Sequence, residues 1–157
     1  MIKYIKLLRV KQYVKNLFMF LPLIFGMHIF NLKALTNVTV GAILFSFACS
    51  VIYILNDIKD IEEDKNHPKK SKRPIASGQI SIKNAILTAL VLFIFSLCGS
   101  FMLNLKFGFC VLIYLIMNLL YTYKLKYLPI IDILIISFGF LIRVIAGSFL
   151  SNVIPSE

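Results

Sequence analysis

Five apolar stretches, at 17–30, 38–55, 85–103, 107–123 and 127–150, occupy most of the 157-residue chain and limit what it can fold into. A helix crossing a hydrocarbon layer of about 30 Å needs roughly 17–25 residues at about 1.5 Å each. The last four stretches reach that length. The first has 14 residues and contains Pro22 and His28, so it spans only by borrowing flanking residues such as Tyr13 and Val14, and a re-entrant segment is the alternative. Lys3, Lys6 and Arg9 ahead of an apolar run also resemble a cleaved secretion signal. No small-x-small cleavage site follows Phe25, however, and further spans come after it. With 59% apolar and 15% charged residues, an ordinary soluble domain is excluded. The expected fold class is all-α, a polytopic membrane helical bundle with about five transmembrane helices, forming a single membrane domain over 1–157.

The basic residues set an orientation, because short cytoplasmic loops collect Lys and Arg. Five precede Leu17, one lies in 31–37, seven in 56–84, one in 104–106, two in 124–126 and none after Leu150. This alternation fits five spans of the cell membrane with the amino terminus and the 56–84 loop on the cytoplasmic side. The net charge of +10 then faces anionic headgroups or a phosphorylated substrate. Nucleic acid is a poor partner, because the bases border membrane spans. Cys49, Cys98 and Cys110 lie in apolar segments without metal-ligand spacing and are expected as small core residues.

The cytoplasmic loop holds five of the seven acidic residues, followed at once by a basic block. On a continuous helix Asp57, Asp60 and Asp64, spaced i, i+3 and i+7, fall within about 60° of one another, while Glu62 and Glu63 point elsewhere. Three carboxylates so close repel unless a cation joins them, and hard oxygen donors suit Mg²⁺ with open positions for phosphate oxygens. A solvated loop helix of mixed charge is the plainer alternative. Pro68 predicts a turn, after which Lys69, Lys70, Lys72 and Arg73 supply the other side of a cradle for a diphosphate. Lys65, Lys69 and Lys72 are expected to anchor the loop to anionic headgroups. Pro74 and Gly78 shape the next stretch, and Ser81 caps the following helix.

These residues resemble a known family. Asn56, Asp57, Asp60 and Asp64 read as NDxxDxxxD, the first aspartate motif of the UbiA superfamily of intramembrane prenyltransferases. The continuation HPKKSKRPIASG, from His67 to Gly78, is similar to the decaprenyl-phosphate phosphoribosyltransferase branch. So are LRVKQYVKNLFMFLPLIF, with Val10 and Tyr13 in place of that branch's proline and tryptophan, and the LIRVIAG helix near the carboxy end. The DDxxD pattern of soluble isoprenoid synthases and the DGxxAR pattern of CDP-alcohol phosphotransferases are absent. The resemblance implies that a polyprenyl phosphate attacks C1 of 5-phosphoribosyl diphosphate and releases diphosphate. It implies Asp57, Asp60 and Asp64 as catalytic Mg²⁺ ligands, with Asn56, Lys15, Asn16, Lys70, Arg73 and Lys126 binding substrate. An aromatic-acceptor prenyltransferase of the same superfamily is the runner-up.

In the last stretch Asp132, Gly139 and Arg143 share one stripe, expected to face inward because ionisable groups cost at least about 2.5 kcal/mol against lipid. Asp132 and Arg143 are about 16 Å apart along the axis, so a carbonyl or water must serve Arg143 if no partner does. The superfamily pattern implies about nine helices and a second aspartate cluster, which this chain does not carry. The expectation is therefore the amino-terminal half of such an enzyme, with little turnover alone. It would be a truncated gene, one half of an enzyme completed by a second chain, or a non-catalytic lipid-binding fragment.

Overall fold

A computed structural model describes residues 2–125 and 131–153. Among them the chain is all helical. Helix α1 (Ile2–Leu7) leads into a 3-10 helix, Val10–Phe20, and then α2 (Leu21–Phe25). After α3 (Leu32–Lys59) come α4 (Ile61–Lys65), a 3-10 turn at Lys70–Lys72, α5 (Ile82–Leu103) and α6 (Leu105–Leu120). A π turn, Tyr121–Leu125, and α7 (Ile131–Ser151) complete the order. Four helices, Leu32–Lys59, Ile82–Leu103, Leu105–Tyr123 and Ile131–Ser151, are long and apolar enough to cross a membrane.

The first stretch is built differently, and its winding explains its length. In a 3-10 helix positions i and i+3 eclipse, so Tyr13, Asn16 and Met19 form one inward row while Lys15, Leu17 and Phe18 stay exposed. Three residues of 3-10 helix rise about 6 Å, matching four residues of α-helix. This is the register seen against α3: Tyr13 pairs with Ser50 at 2.7 Å and Asn16 with Ser46 at 2.7 Å. The two segments therefore run antiparallel. Eleven residues at about 2.0 Å and five at about 1.5 Å reach about 30 Å, so the borrowed residues extend back to Val10. Pro22 stands in the first turn of α2, where its missing N–H costs nothing.

Asparagine and serine caps set the starts of α3, α5 and α6. Asn31 accepts from Lys33 and Ala34 N–H, Ser81 from Asn84, and Asn104 from Phe107. Asn104 is the whole link between α5 and α6.

Helix α3 is the centre, packed against α5, α6, α7 and the 3-10 segment. Phe45, Phe107, Val111, Tyr114, Leu115 and Ile142 contribute to the main core. Small residues let the backbones approach, as expected where lipid supplies little hydrophobic drive between helices. Gly147 of α7 is the extreme case. A Cβ there would lie 1.9 Å from the Met19 carbonyl oxygen. Cys49 and Cys110 are buried as expected, but Cys98 is exposed on α5, a helix most of whose surface faces outward.

A second apolar cluster, Leu7, Ile54, Ile75, Ile80, Ala85 and Ala89, lies under the loop. Ile75 and Ile80 thereby pin the stretch after Arg73 to α3 and α5. Gly78 takes φ +73°, the left-handed turn that glycine permits.

Candidate functional site

Two adjoining groups of polar side chains gather at one end of the bundle. In the first, Asp57 near the end of α3 and Asp64 of α4 both accept from Arg73 Nη1, at 3.1 and 2.6 Å. Arg9 makes a second ion pair with Asp57. The carboxylates are 2% and 0% exposed, so each depends on its arginine for charge compensation. The network follows from local structure. Helix α3 stops at Lys59, Asp60 takes φ −92° and ψ 14°, and α4 restarts at Ile61. The one-face geometry expected for a continuous helix is thus interrupted at its middle aspartate. Asp57 and Asp64 converge on Arg73 instead.

Arg73 is placed by the turn that Pro68 predicted. The His67 imidazole Nδ1 accepts from the N–H groups of Lys69 and Lys70 at 3.1 and 3.2 Å. Arg73 N–H bonds Lys70 O at 2.9 Å, and its own carbonyl accepts from Ser77 N at 2.9 Å. His67 is therefore a builder of the turn. Arg9 has φ 51°, a left-handed conformation that costs a non-glycine residue about 1–2 kcal/mol. Its guanidinium lies 4.9 Å from the Tyr53 ring.

The second group lines a cavity of about 240 Å³ beside this network. Lys15, Tyr53, Asn56, Asn118, Asp132 and Arg143 are among its walls. Thr122 donates to Asn56 Oδ1 at 2.5 Å. Lys59 Nζ reaches Thr122 O and lies 5.2 Å from the Tyr123 ring. The π turn thus ties the end of α6 to the end of α3, as such irregular turns often do at functional sites.

The residues singled out from sequence are distributed as follows. Asp57, Asp64 and Arg73 form the network, Asn56 and Lys15 line the cavity, and Asp60 stands at the helix break. Asn16 is buried between Ser46 and Arg143, so it reaches the cavity only through Arg143. Lys70 is partly exposed in its 3-10 turn. Lys126 lies outside the described residues. Arg143 is inward as expected, and a carbonyl does serve it: Nη1 donates to Gly139 O at 2.6 Å. Gly139 is buried with it, whereas Asp132 is exposed at the cavity edge. Arg9 was missed as a site residue. Only its positive charge ahead of the first apolar run marked it in the sequence.

A hard divalent cation suits this donor set. Asp64 Oδ1 is buried without a hydrogen-bond partner, an acceptor that an ion or a protonated group would satisfy. Among the described residues no three metal-ligating side chains are gathered closely enough to cage an ion. The carboxylates are assembled around arginines.

Known proteins resemble this chain in sequence and in fold. Decaprenyl-phosphate phosphoribosyltransferase of Mycobacterium tuberculosis is 35% identical over 153 residues, covering 95% of this chain and 51% of that protein. The Corynebacterium glutamicum protein of the same name is 37% identical over 157 residues, covering 98% and 47%. A 4-hydroxybenzoate octaprenyltransferase of Francisella tularensis is 30% identical over 128 residues, covering 81% and 44%. The chain thus spans about half the length of these relatives. In fold it matches a UbiA homolog from Archaeoglobus fulgidus, solved bound to DMAPP and Mg²⁺, with TM-score 0.82 at 23% identity over 96% of this chain and 55% of that one. The UbiA prenyltransferase family model matches residues 17–155, and the chain, a multi-pass membrane protein of helical spans, belongs to that family of transferases.

Proposed function

We propose that the protein serves the Mg²⁺-dependent transfer of a phosphoribosyl group from 5-phosphoribosyl diphosphate to a polyprenyl phosphate, with the amino terminus and the aspartate loop on the cytoplasmic side. The observation that carries this is the Asp57, Arg73, Asp64 bridge beside an open, cation-lined cavity. Relatives named decaprenyl-phosphate phosphoribosyltransferase align over nearly the whole chain, which favours this donor and acceptor over the aromatic pair.

The residues have separable tasks in such a transfer. A phosphate oxygen of the lipid attacks C1 of the ribose as the C1–O bond to diphosphate breaks, and diphosphate leaves with the bonding pair. The nucleophile is already an anion, so no general base is needed. Asp57, Asp60 and Asp64 would hold Mg²⁺, which when bound supplies charge neutralisation of the diphosphate. Arg73 and Arg9 pair with the two buried carboxylates and retain N–H groups for diphosphate oxygens. Lys70 adds positive charge at the same rim, and Lys15 and Lys126 would line the mouth. Tyr53, stacked on Arg9, links the network to the cavity.

The test uses the full-length protein in membranes. Supplied with Mg²⁺, 5-phosphoribosyl diphosphate and a polyprenyl phosphate, it should release diphosphate and form a phosphoribosyl lipid. Activity only with a prenyl diphosphate and 4-hydroxybenzoate would replace this reading with the aromatic one.

A further inference from the structure

We propose that Arg143 is the recognition residue for a phosphate monoester at the floor of the cavity, an anion subsite separate from the aspartate and arginine network beside its mouth. This rests on the proposed function for the substrate class, and deepens it.

Arg143 is 5% exposed, yet all of its observed partners are neutral. Nε donates to Asn16 Oδ1 at 2.8 Å, Nη1 to Gly139 O at 2.6 Å and Nη2 to Cys49 Sγ at 3.4 Å. The rings of Phe45, Tyr114 and Phe140 surround it at 5.0, 5.2 and 5.8 Å. These contacts orient a guanidinium without cancelling its charge, and a buried charge without a counterion costs several kcal/mol. Guanidinium has five N–H donors. Three are engaged, which leaves one on each terminal nitrogen of a group that lines the cavity.

No acid of the cavity wall supplies the missing counterion. Asp132 lies eleven residues earlier on the same helix, about 16 Å along its axis. Asp57 lies eight residues beyond Cys49 on α3, about 12 Å away along that axis, and is already held by Arg9 and Arg73. The floor and the mouth are thus a few turns apart, each with its own cations. Among the described residues no carboxylate adjoins Arg143 to share a metal ion, so the floor suits a phosphate bound by guanidinium alone, while the carboxylates of the network serve a diphosphate.

The support around Arg143 is correspondingly rigid. Asn16 is held by Ser46 at 2.7 Å, on the row that the 3-10 winding turns inward. Asn16 is therefore a positioning residue. Gly139 keeps the guanidinium's place open, because a Cβ there would lie 3.3 Å from Nη1. The phosphate monoester has two sources in the proposed reaction, the acceptor lipid and the 5-phosphate of the donor.

The full-length protein in lipid nanodiscs separates them. Binding of farnesyl phosphate, farnesol, ribose 5-phosphate and Mg²⁺ diphosphate is measured calorimetrically for the wild type, Arg143→Gln, Arg143→Lys and Arg73→Gln. Arg143→Gln should lose at least about tenfold in affinity for one monoester, the loss of one charge-assisted hydrogen bond, while farnesol and diphosphate stay within about twofold. A loss confined to farnesyl phosphate assigns the lipid, and one confined to ribose 5-phosphate assigns the donor. Arg73→Gln should show the reverse, weakened diphosphate and unchanged monoester binding. If Arg143→Gln does not fold, Arg143→Lys keeps the charge without the planar fork and Gly139→Ala shifts the fork, and both should weaken the same monoester selectively. Equal losses for all four probes, or no change for either monoester, would overturn the proposal. A selective monoester loss in a protein that prenylates an aromatic acid would keep the subsite and reject the reaction.

Discussion

The mouth and the floor of the cavity both hold arginines, partly exposed at the mouth and buried at the floor, and they are compensated in opposite ways. At the mouth Arg9 and Arg73 meet Asp57 and Asp64, and the charges cancel. At the floor Arg143 meets an amide oxygen, a carbonyl, a thiol and three rings, and its charge persists. The difference shows that burial alone does not define an ion's role. A neutralised network is costly to break, whereas an uncompensated cation awaits an anion.

The largest expected effect comes from breaking the mouth. Arg73→Ala leaves Asp64 with no ion-pair partner and Asp57 with only Arg9, and should cost about 3–5 kcal/mol in thermal or denaturant unfolding of the detergent-solubilised protein. Adding Asp64→Asn should return part of that loss; a double variant as unstable as the sum of the two singles would show that the bridge is not the cause. Gly147→Ala comes next. Its methyl group meets Met19 backbone, which cannot rotate away, and overpacking of this kind costs about 1–3 kcal/mol. An unshifted melting temperature would mean that α7 and the 3-10 segment separate without penalty.

At the floor, Arg143→Gln should destabilise less than Arg73→Ala, because the groups it abandons are neutral and no orphaned carboxylate remains. The opposite order would erase the distinction between the two regions. Asp60→Asn should leave the Asp57, Arg73 and Asp64 bridge in place but weaken Mg²⁺-dependent binding of diphosphate, measured by titration with and without the ion. Unchanged metal dependence would remove Asp60 from the site. The smallest effect belongs to Lys65→Gln, since its pair with Glu62 is 50% and 82% exposed. Unfolding free energy should change by under about 0.5 kcal/mol.

Particular residues show how far the sequence carried. Apolar run lengths located the four long helices, and the Ser81 cap of α5 was legible in the sequence, because these are local effects. Asp57, Asp64, Asn56 and Lys15 were found by charge and motif, and the structure brings them to one end of the bundle. The continuous helix through Asp60 was not borne out, since a break of one residue leaves the spacing pattern almost unchanged. The winding of 10–20 escaped for a related reason. Tyr13, Asn16 and Met19 recur every three residues and look irregular on a 3.6-residue helix, and two of these three residues are polar or amphipathic.

By itself, then, the sequence determined the membrane class, the lengths of the four long spans, the Ser81 cap and the place in the chain where acidic and basic residues concentrate. Those properties reside in composition and in neighbours a few positions apart. Which charge cancels which was decided only by tertiary structure. Arg9 meets Asp57 across 48 positions and Arg143 meets Asn16 across 127, contacts that exist because the 3-10 segment, α3 and α7 pack closely enough to exclude water. Burial then turns each such contact from a weak surface attraction into a condition for folding or for binding.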